Sequence, residues 1–200
     1  MRSSRKHCRR SIRLKGYDYS QSGAYFITVC TKNRSPLLGT IVSGEMRPSP
    51  IGEVSEKLWH EIPHHFLDVQ LDEFVIMPNH VHGIILLWGD SQRPSGRDVQ
   101  LNIPTTENYY SRISPKKKTL SVIIRTYKGA VTAWCRANSF NHFEWQTGYF
   151  DHIIRNEKSL NRIRSYITTN PKRWQLDREN PEKTANDQFD VWFRTAPPLG

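Results

Sequence analysis

Met77-Pro78-Asn79-His80-Val81-His82-Gly83-Ile84-Ile85-Leu86-Leu87 joins a turn, two histidines one residue apart and a run of strand-forming residues. Pro78-Asn79 interrupts the apolar run at 69–77 and opens a tight connection, so the residues from His80 onward read as the second strand of a hairpin, 80–88. Side chains of a strand alternate faces, and His80 and His82 therefore present both imidazoles to one point in space. That is two ligands of a metal site, although a His-x-His pair on a half-exposed sheet face is also compatible with a structural role. Zinc wants at least one further strong ligand. Cys8, Cys30 and Cys135 are scattered and form no Cys-x-x-Cys pair, which argues against a closed structural zinc site and for an open site with a harder ion.

Around this hairpin the chain resolves into alternating elements. Residues 24–31, rich in β-branched and aromatic side chains and bounded by Gly23 and Asn33, predict the first strand. A small hairpin follows, with 40–42 and 45–47 flanking Ser43-Gly44. Val54, Leu58, Ile62 and Phe66 recur at near-helical spacing and predict a helix over 52–66, weakened near its end by Pro63. Residues 89–118 are rich in Ser, Pro, Gly, Arg and Asn without sustained period and read as a flexible insertion. Thr119 or Ser121 caps a helix running through Val122, Ile123, Thr126, Ala130, Ala133 and Trp134. A strand within 144–154 and a last helix from Asn156 complete the order β-α-β-β-α-β-α. The first six elements specify an α+β fold, the ferredoxin-like split βαβ arrangement: an antiparallel sheet with helices on one face, plus an additional C-terminal helix. The first and third strands are then central, which puts His80 and His82 in mid-sheet.

Two hundred residues suit one domain with its own core. Lys and Arg number 29 against 19 Asp and Glu, a formal charge of +10, so the surface draws polyanions, nucleic acid first among them. Six Trp and eight Tyr add groups on which bases stack. No apolar run is long enough to cross a membrane, the N-terminus has no signal-peptide pattern, and the odd, scattered cysteines suit a reducing compartment; a cytoplasmic location is expected. Residues 1–22, with Arg9, Arg10 and Arg13 among their seven basic side chains, read as a basic arm or a solvated tail. Lys116-Lys117-Lys118 opposes the dipole of the helix that follows, and Arg125, Lys128 and Arg136 decorate that helix; a phosphate-contacting face or an ordinary solvated charge run would both produce this pattern.

On the last helix Asn156 can cap the start and Pro171 ends it. Leu160, Ile163 and Ile167 form one apolar stripe, while Lys158, Asn161, Arg162 and Arg164 occupy the opposite arc. Tyr166 and Asn170, four apart, fall at or beside the buried stripe, so a tyrosine and an amide look toward the sheet. A core tyrosine and a terminal asparagine cap would fit an isolated helix equally well.

Met77-Pro78-Asn79-His80-Val81-His82-Gly83, then His152-Ile153-Ile154-Arg155-Asn156, then Tyr166-Ile167-Thr168-Thr169-Asn170-Pro171 resemble the single-tyrosine HUH transposases, and more closely the REP-associated tyrosine transposases. The resemblance runs from about residue 12 to 174, and its departures are the insertion at 89–118 and the tail at 175–200. It implies a domain over 23–174 that cleaves and rejoins single-stranded, hairpin-forming DNA. Tyr166 would attack phosphorus to give a 5′-phosphotyrosine link and a free 3′-hydroxyl, with Tyr149 the next candidate nucleophile. His80, His82 and Asn170 would hold Mg²⁺ or Mn²⁺, a Lewis acid for the scissile phosphate. Arg9, Arg10, Arg13, Lys116, Lys117, Lys118, Arg125, Lys128 and Arg155 would contact DNA, and a homodimer is compatible. Metal dependence is expected to fade below the ordinary histidine pKa of ~6.5. Two rivals remain: a non-catalytic RNA- or single-strand-binding module that stacks bases on an open sheet face, and a hydrolase that uses water.

Overall fold

The computed structural model describes residues 21–88 and 119–195, and within them the four-stranded sheet forms in the order β4-β5-β1-β6 with every neighbouring pair antiparallel. Its strands are β1 (Gly23–Cys30), β4 (Val69–Met77), β5 (His80–Leu87) and β6 (Phe150–Ile154). This is the ferredoxin-like order, and β1 and β5 are central as expected. A separate ribbon pairs β2 (Gly39–Val42) with β3 (Glu45–Pro48). Ser43 and Gly44 both have positive φ, 53° and 77°, which matches the twist of a two-residue hairpin turn.

Period-two patterning divides the sheet into two buried faces. Tyr25, Ile27, Val29, Val81 and Ile85 pack against α1 (Pro50–His60) and α3 (Leu120–Ala137), where Ile51, Trp59, Ile123, Ile124 and Val131 complete the main core. Each of these side chains contributes roughly 1.5–3 kcal/mol by leaving water. The Ser49 hydroxyl caps α1 by accepting from the Gly52 amide, and α1 gives way to a short helix, α2 (Ile62–His65), that carries Pro63 in its first turn. Gly83 is glycine because a Cβ there would collide with the Trp59 indole, so a central strand and α1 meet without a side chain between them.

Phe26, Ile84 and Ile154 occupy the opposite face. They pack against Ile163, Tyr166 and Ile167 of α4 (Glu157–Thr169) and Phe189 of α5 (Gln188–Thr195). The Asn156 side chain accepts from the Ser159 amide at 2.8 Å to start α4, and a 3-10 segment, Asn170–Leu176, with Pro171 in its first turn ends it. Arg164 grips Asp72 through Nε and Nη2, tying α4 to the edge strand β4. With α1 and α3 on one side and α4 and α5 on the other, neither face of the sheet is left open as a base-stacking platform.

Three local expectations need correction. The sixth strand begins only at Phe150; before it Trp145 makes a single bridge to Thr31, and Gly148 turns the chain at φ 76°. Thr119 stands at the N-cap of α3 without a side-chain cap bond, and the Ser121 hydroxyl lies 3.3 Å from the Tyr149 hydroxyl instead. Lys128 directs Nζ to the carbonyls of Gln146 and Gly148, at 2.6 and 2.8 Å, so its ammonium pins the turn before β6. The readings on Arg9, Arg10, Arg13, Lys116, Lys117 and Lys118 fall outside the described residues.

Candidate active site

His80 and His82 stand on β5, fully buried, with ring centroids 4.3 Å apart. Each is oriented from behind. The Asn79 side chain donates through Nδ2 to the carbonyls of Arg34 and Glu179, at 3.1 and 2.8 Å, so its Oδ1 is the atom 2.7 Å from His80 Nδ1. An amide oxygen only accepts, and His80 therefore carries its proton on Nδ1 and a lone pair on Nε2. Thr28 Oγ1, on the paired strand, lies 2.9 Å from His82 Nδ1. Such backing is how metal-ligating imidazoles are fixed in tautomer and direction.

α4 brings Tyr166 to the same point. Tyr166 Oη is 3.3 Å from His82 Nε2 and donates to Asp177 Oδ2 at 2.9 Å. Asp177 follows the 3-10 segment, and its Oδ2 lies 3.9 Å from His80 Nε2 and 3.7 Å from His82 Nε2. Asn170 donates through Nδ2 to the same carboxylate oxygen at 2.8 Å, while the Glu179 amide donates to Asp177 Oδ1 at 2.7 Å. One ligand atom from each of His80, His82 and Asp177 lies within 4.8 Å of the others, a spacing at which a single cation could be shared. Two buried atoms at this point have no hydrogen-bond partner, His80 Nε2 and Asn170 Oδ1. Buried acceptors left unpaired are costly, and two imidazole nitrogens with carboxylate and amide oxygens are the donor set of a borderline-hard divalent ion. The residues present fit such an ion.

The electrostatics agree with that use. Burial, and then the neighbouring His82, lower the His80 pKa to about 3, so the imidazole stays neutral and able to ligate far below its ordinary range. Burial raises the Asp177 carboxyl, but the facing imidazoles and the Asn170 amide outweigh it and hold the group ionised. Burial raises the Tyr166 phenol, and the adjacent Asp177 raises it further, so at rest it is a protonated hydroxyl.

No protein-family model matches the chain. An uncharacterized protein of Haemophilus influenzae is 42% identical over 174 residues, which cover 86% of this chain and 92% of that protein. The two proteins belong to one family. A solved structure of a REP-associated tyrosine transposase bound to a REP hairpin superposes with a TM-score of 0.52 at 21% identity, covering 82% of this chain and 74% of that one. The chain has the fold of a REP-associated tyrosine transposase.

Within this transposase fold the expected site residues separate into groups. His80, His82, Tyr166 and Asn170 converge, and they do so within one chain. Tyr149 packs with the main core, on the other side of the sheet from the histidines. Arg125 and Arg155 are exposed, whereas Lys128 is committed to two carbonyls. Asp177 is the residue that sequence reasoning missed: it lies beyond the quoted motifs, in a polar stretch that reads as tail. That stretch packs as part of the transposase fold. Glu179 takes Arg34 and Arg178 as ion-pair partners, and Phe189 stacks on the Tyr166 ring with centroids 3.8 Å apart. Among the described residues no helix is long and apolar enough to cross a membrane.

Proposed function

We propose that this protein is a metal-dependent single-stranded DNA endonuclease and strand transferase acting on hairpin-forming, REP-like DNA through a covalent 5′-phosphotyrosine intermediate. The observation that carries this reading is the placement of Tyr166 Oη, 3.3 Å from His82 Nε2 and hydrogen-bonded to Asp177, in a chain whose fold is that of a transposase whose structure was solved on a REP hairpin.

His80, His82 and Asp177 would hold the ion, with the Asn170 carbonyl oxygen beside them. A divalent ion such as Mg²⁺ or Mn²⁺ held by these residues would supply Lewis-acid polarisation of the scissile phosphate. The rest belongs to the protein. Asp177 already accepts the Tyr166 hydrogen, so it is positioned to take the phenol proton as Oη closes on phosphorus. The Oη–P bond forms, the P–O3′ bond breaks, and the proton that Asp177 took from the phenol passes to the departing 3′-oxygen, which leaves as a hydroxyl. Because the phosphotyrosine link conserves the energy of the phosphodiester that was broken, a second 3′-hydroxyl can reverse the step and join new ends without water or ATP. Tyr166, His80 and His82 belong to one chain, so a monomer carries all the groups this chemistry uses. Exposed Arg125 and Arg155 and the net charge of +10 supply attraction for the phosphate backbone.

The test is a denaturing gel with end-labelled single-stranded hairpin DNA and Mn²⁺. A protein-linked product is expected, and Tyr166→Phe removes it while DNA binding stays near the unvaried level. Cleavage without a protein-linked product would establish the water-using hydrolase instead, and adducts persisting in Tyr166→Phe would move the nucleophile elsewhere.

A further inference from the structure

A cleft of about 220 Å³ opens beside the histidine pair, between the start of β2, the Pro78-Asn79 turn and the 3-10 segment after α4. Ile41, Pro78 and the Trp174 indole give it apolar walls, and exposed Arg34 and Glu182 also line it. Two of its walls are shared with the candidate metal centre. Asn79 holds His80 Nδ1 at 2.7 Å, and the Trp174 ring lies 6.1 Å from the His80 ring, centroid to centroid. Anything seated in the cleft is therefore one side chain away from the site where the phosphate would react.

We propose that this cleft receives one unpaired nucleobase of the DNA strand, adjacent to the scissile phosphate and stacked against Trp174. This assignment rests on the nuclease reading above. Trp174 lines the cleft, and an aromatic ring suits the π-face that every base possesses. Among the described residues Arg34 is tied to Glu179 through Nε, at 2.8 Å, which leaves the outer edge of its guanidinium for an acceptor on the base or for the next phosphate. Glu182, opposite in charge, offers an acceptor to a base's N–H groups.

The experiment uses the full-length chain carrying Tyr166→Phe, so that binding is read without turnover, and a synthetic DNA hairpin with a single-stranded flank. Flank nucleotides are replaced one at a time by an abasic residue, and the dissociation constant is measured by fluorescence anisotropy at fixed salt. One position is expected to lose about tenfold in affinity. 2-Aminopurine at that position is expected to be quenched on binding, by Trp174. Ile41→Tyr, which fills the cleft, is expected to weaken the intact strand to the level of the abasic one and to leave the abasic strand unchanged. If Ile41→Tyr does not fold, the abasic scan and the 2-aminopurine signal on the otherwise unvaried chain decide alone. Equal affinity for every abasic strand, or an abasic penalty undiminished in folded Ile41→Tyr, overturns the assignment. Should the unvaried enzyme form the Tyr166 adduct while the flank proves insensitive, only the cleft assignment falls; should no strand bind, both readings fall.

Discussion

At the scale of single residues, the nitrogen of His80 that is left with a lone pair is chosen by its neighbour. Both N–H groups of the Asn79 amide are spent on carbonyls, which leaves an acceptor, and only an acceptor, against His80 Nδ1. Asn79→Leu removes that acceptor and frees the tautomer. Mn²⁺ affinity measured by calorimetry is expected to fall about 10- to 100-fold, as for other outer-shell partners of ligating histidines; unchanged affinity would mean that burial alone orients the ring. The histidine pair and Tyr166 were legible in the sequence because strand and helix periods fix which side chains share a face. Asp177 was not. It has no periodic neighbours to assign it a face, and its place is set by a 3-10 segment and by hydrogen bonds from Asn170 and the Glu179 amide that only the folded chain brings together. The contacts of Lys128 were hidden for a related reason: helical position predicts exposure, but the two carbonyls it meets lie 18 and 20 residues downstream in an irregular turn.

Among the elements, α4 and α5 close the face of the sheet that carries the histidines. α4 was legible from its cap, its apolar stripe and Pro171; its tie to β4 through Arg164 and Asp72 was not, because Arg164 stands in the arc opposite that stripe and reaches the edge strand only in the folded chain. α5 lies in the stretch at 175–200 that the sequence presents as a tail, because so short a helix has almost no intrinsic stability and exists by docking. Its anchor is Phe189, buried and stacked on Tyr166, with Trp192 and Phe193 beside it and Arg162 over the Trp192 ring. Phe189→Ala is expected to cost about 3 kcal/mol in urea unfolding, the usual range for emptying a large apolar site. Fluorescence quenching by iodide is expected to report greater exposure of Trp192 in the same variant. A loss below about 1 kcal/mol would mean that α5 adds little to the fold.

For the molecule as a whole, buried titratable groups and net charge set how it responds to solution conditions. In the metal-free protein His80 resists protonation down to about pH 3, whereas the unfolded chain takes up that proton near 6.5. Below pH 6.5 the unfolded state thus binds more protons, and stability is expected to fall on acidification by up to about 1.4 kcal/mol per pH unit from this residue. Glu179, held to about 2 by Arg178 and Arg34 against the opposing effect of burial, acts in the same direction below its ordinary range. Thermal unfolding between pH 7 and 4 measures the sum, and a flat profile would contradict the burial of a neutral imidazole. The charge of +10 predicts that affinity for hairpin DNA drops steeply with added salt, and a dissociation constant independent of salt would exclude backbone contact as the main attraction. The central claim is that Tyr166, and no other group, becomes joined to DNA under the control of a divalent ion. Its most direct test is mass spectrometry of the protein after incubation with hairpin DNA and Mn²⁺, followed by proteolysis: a nucleotide 5′-phosphate on the peptide containing Tyr166, absent with chelator, is the predicted result, and cleaved DNA with an unmodified Tyr166 peptide would contradict it.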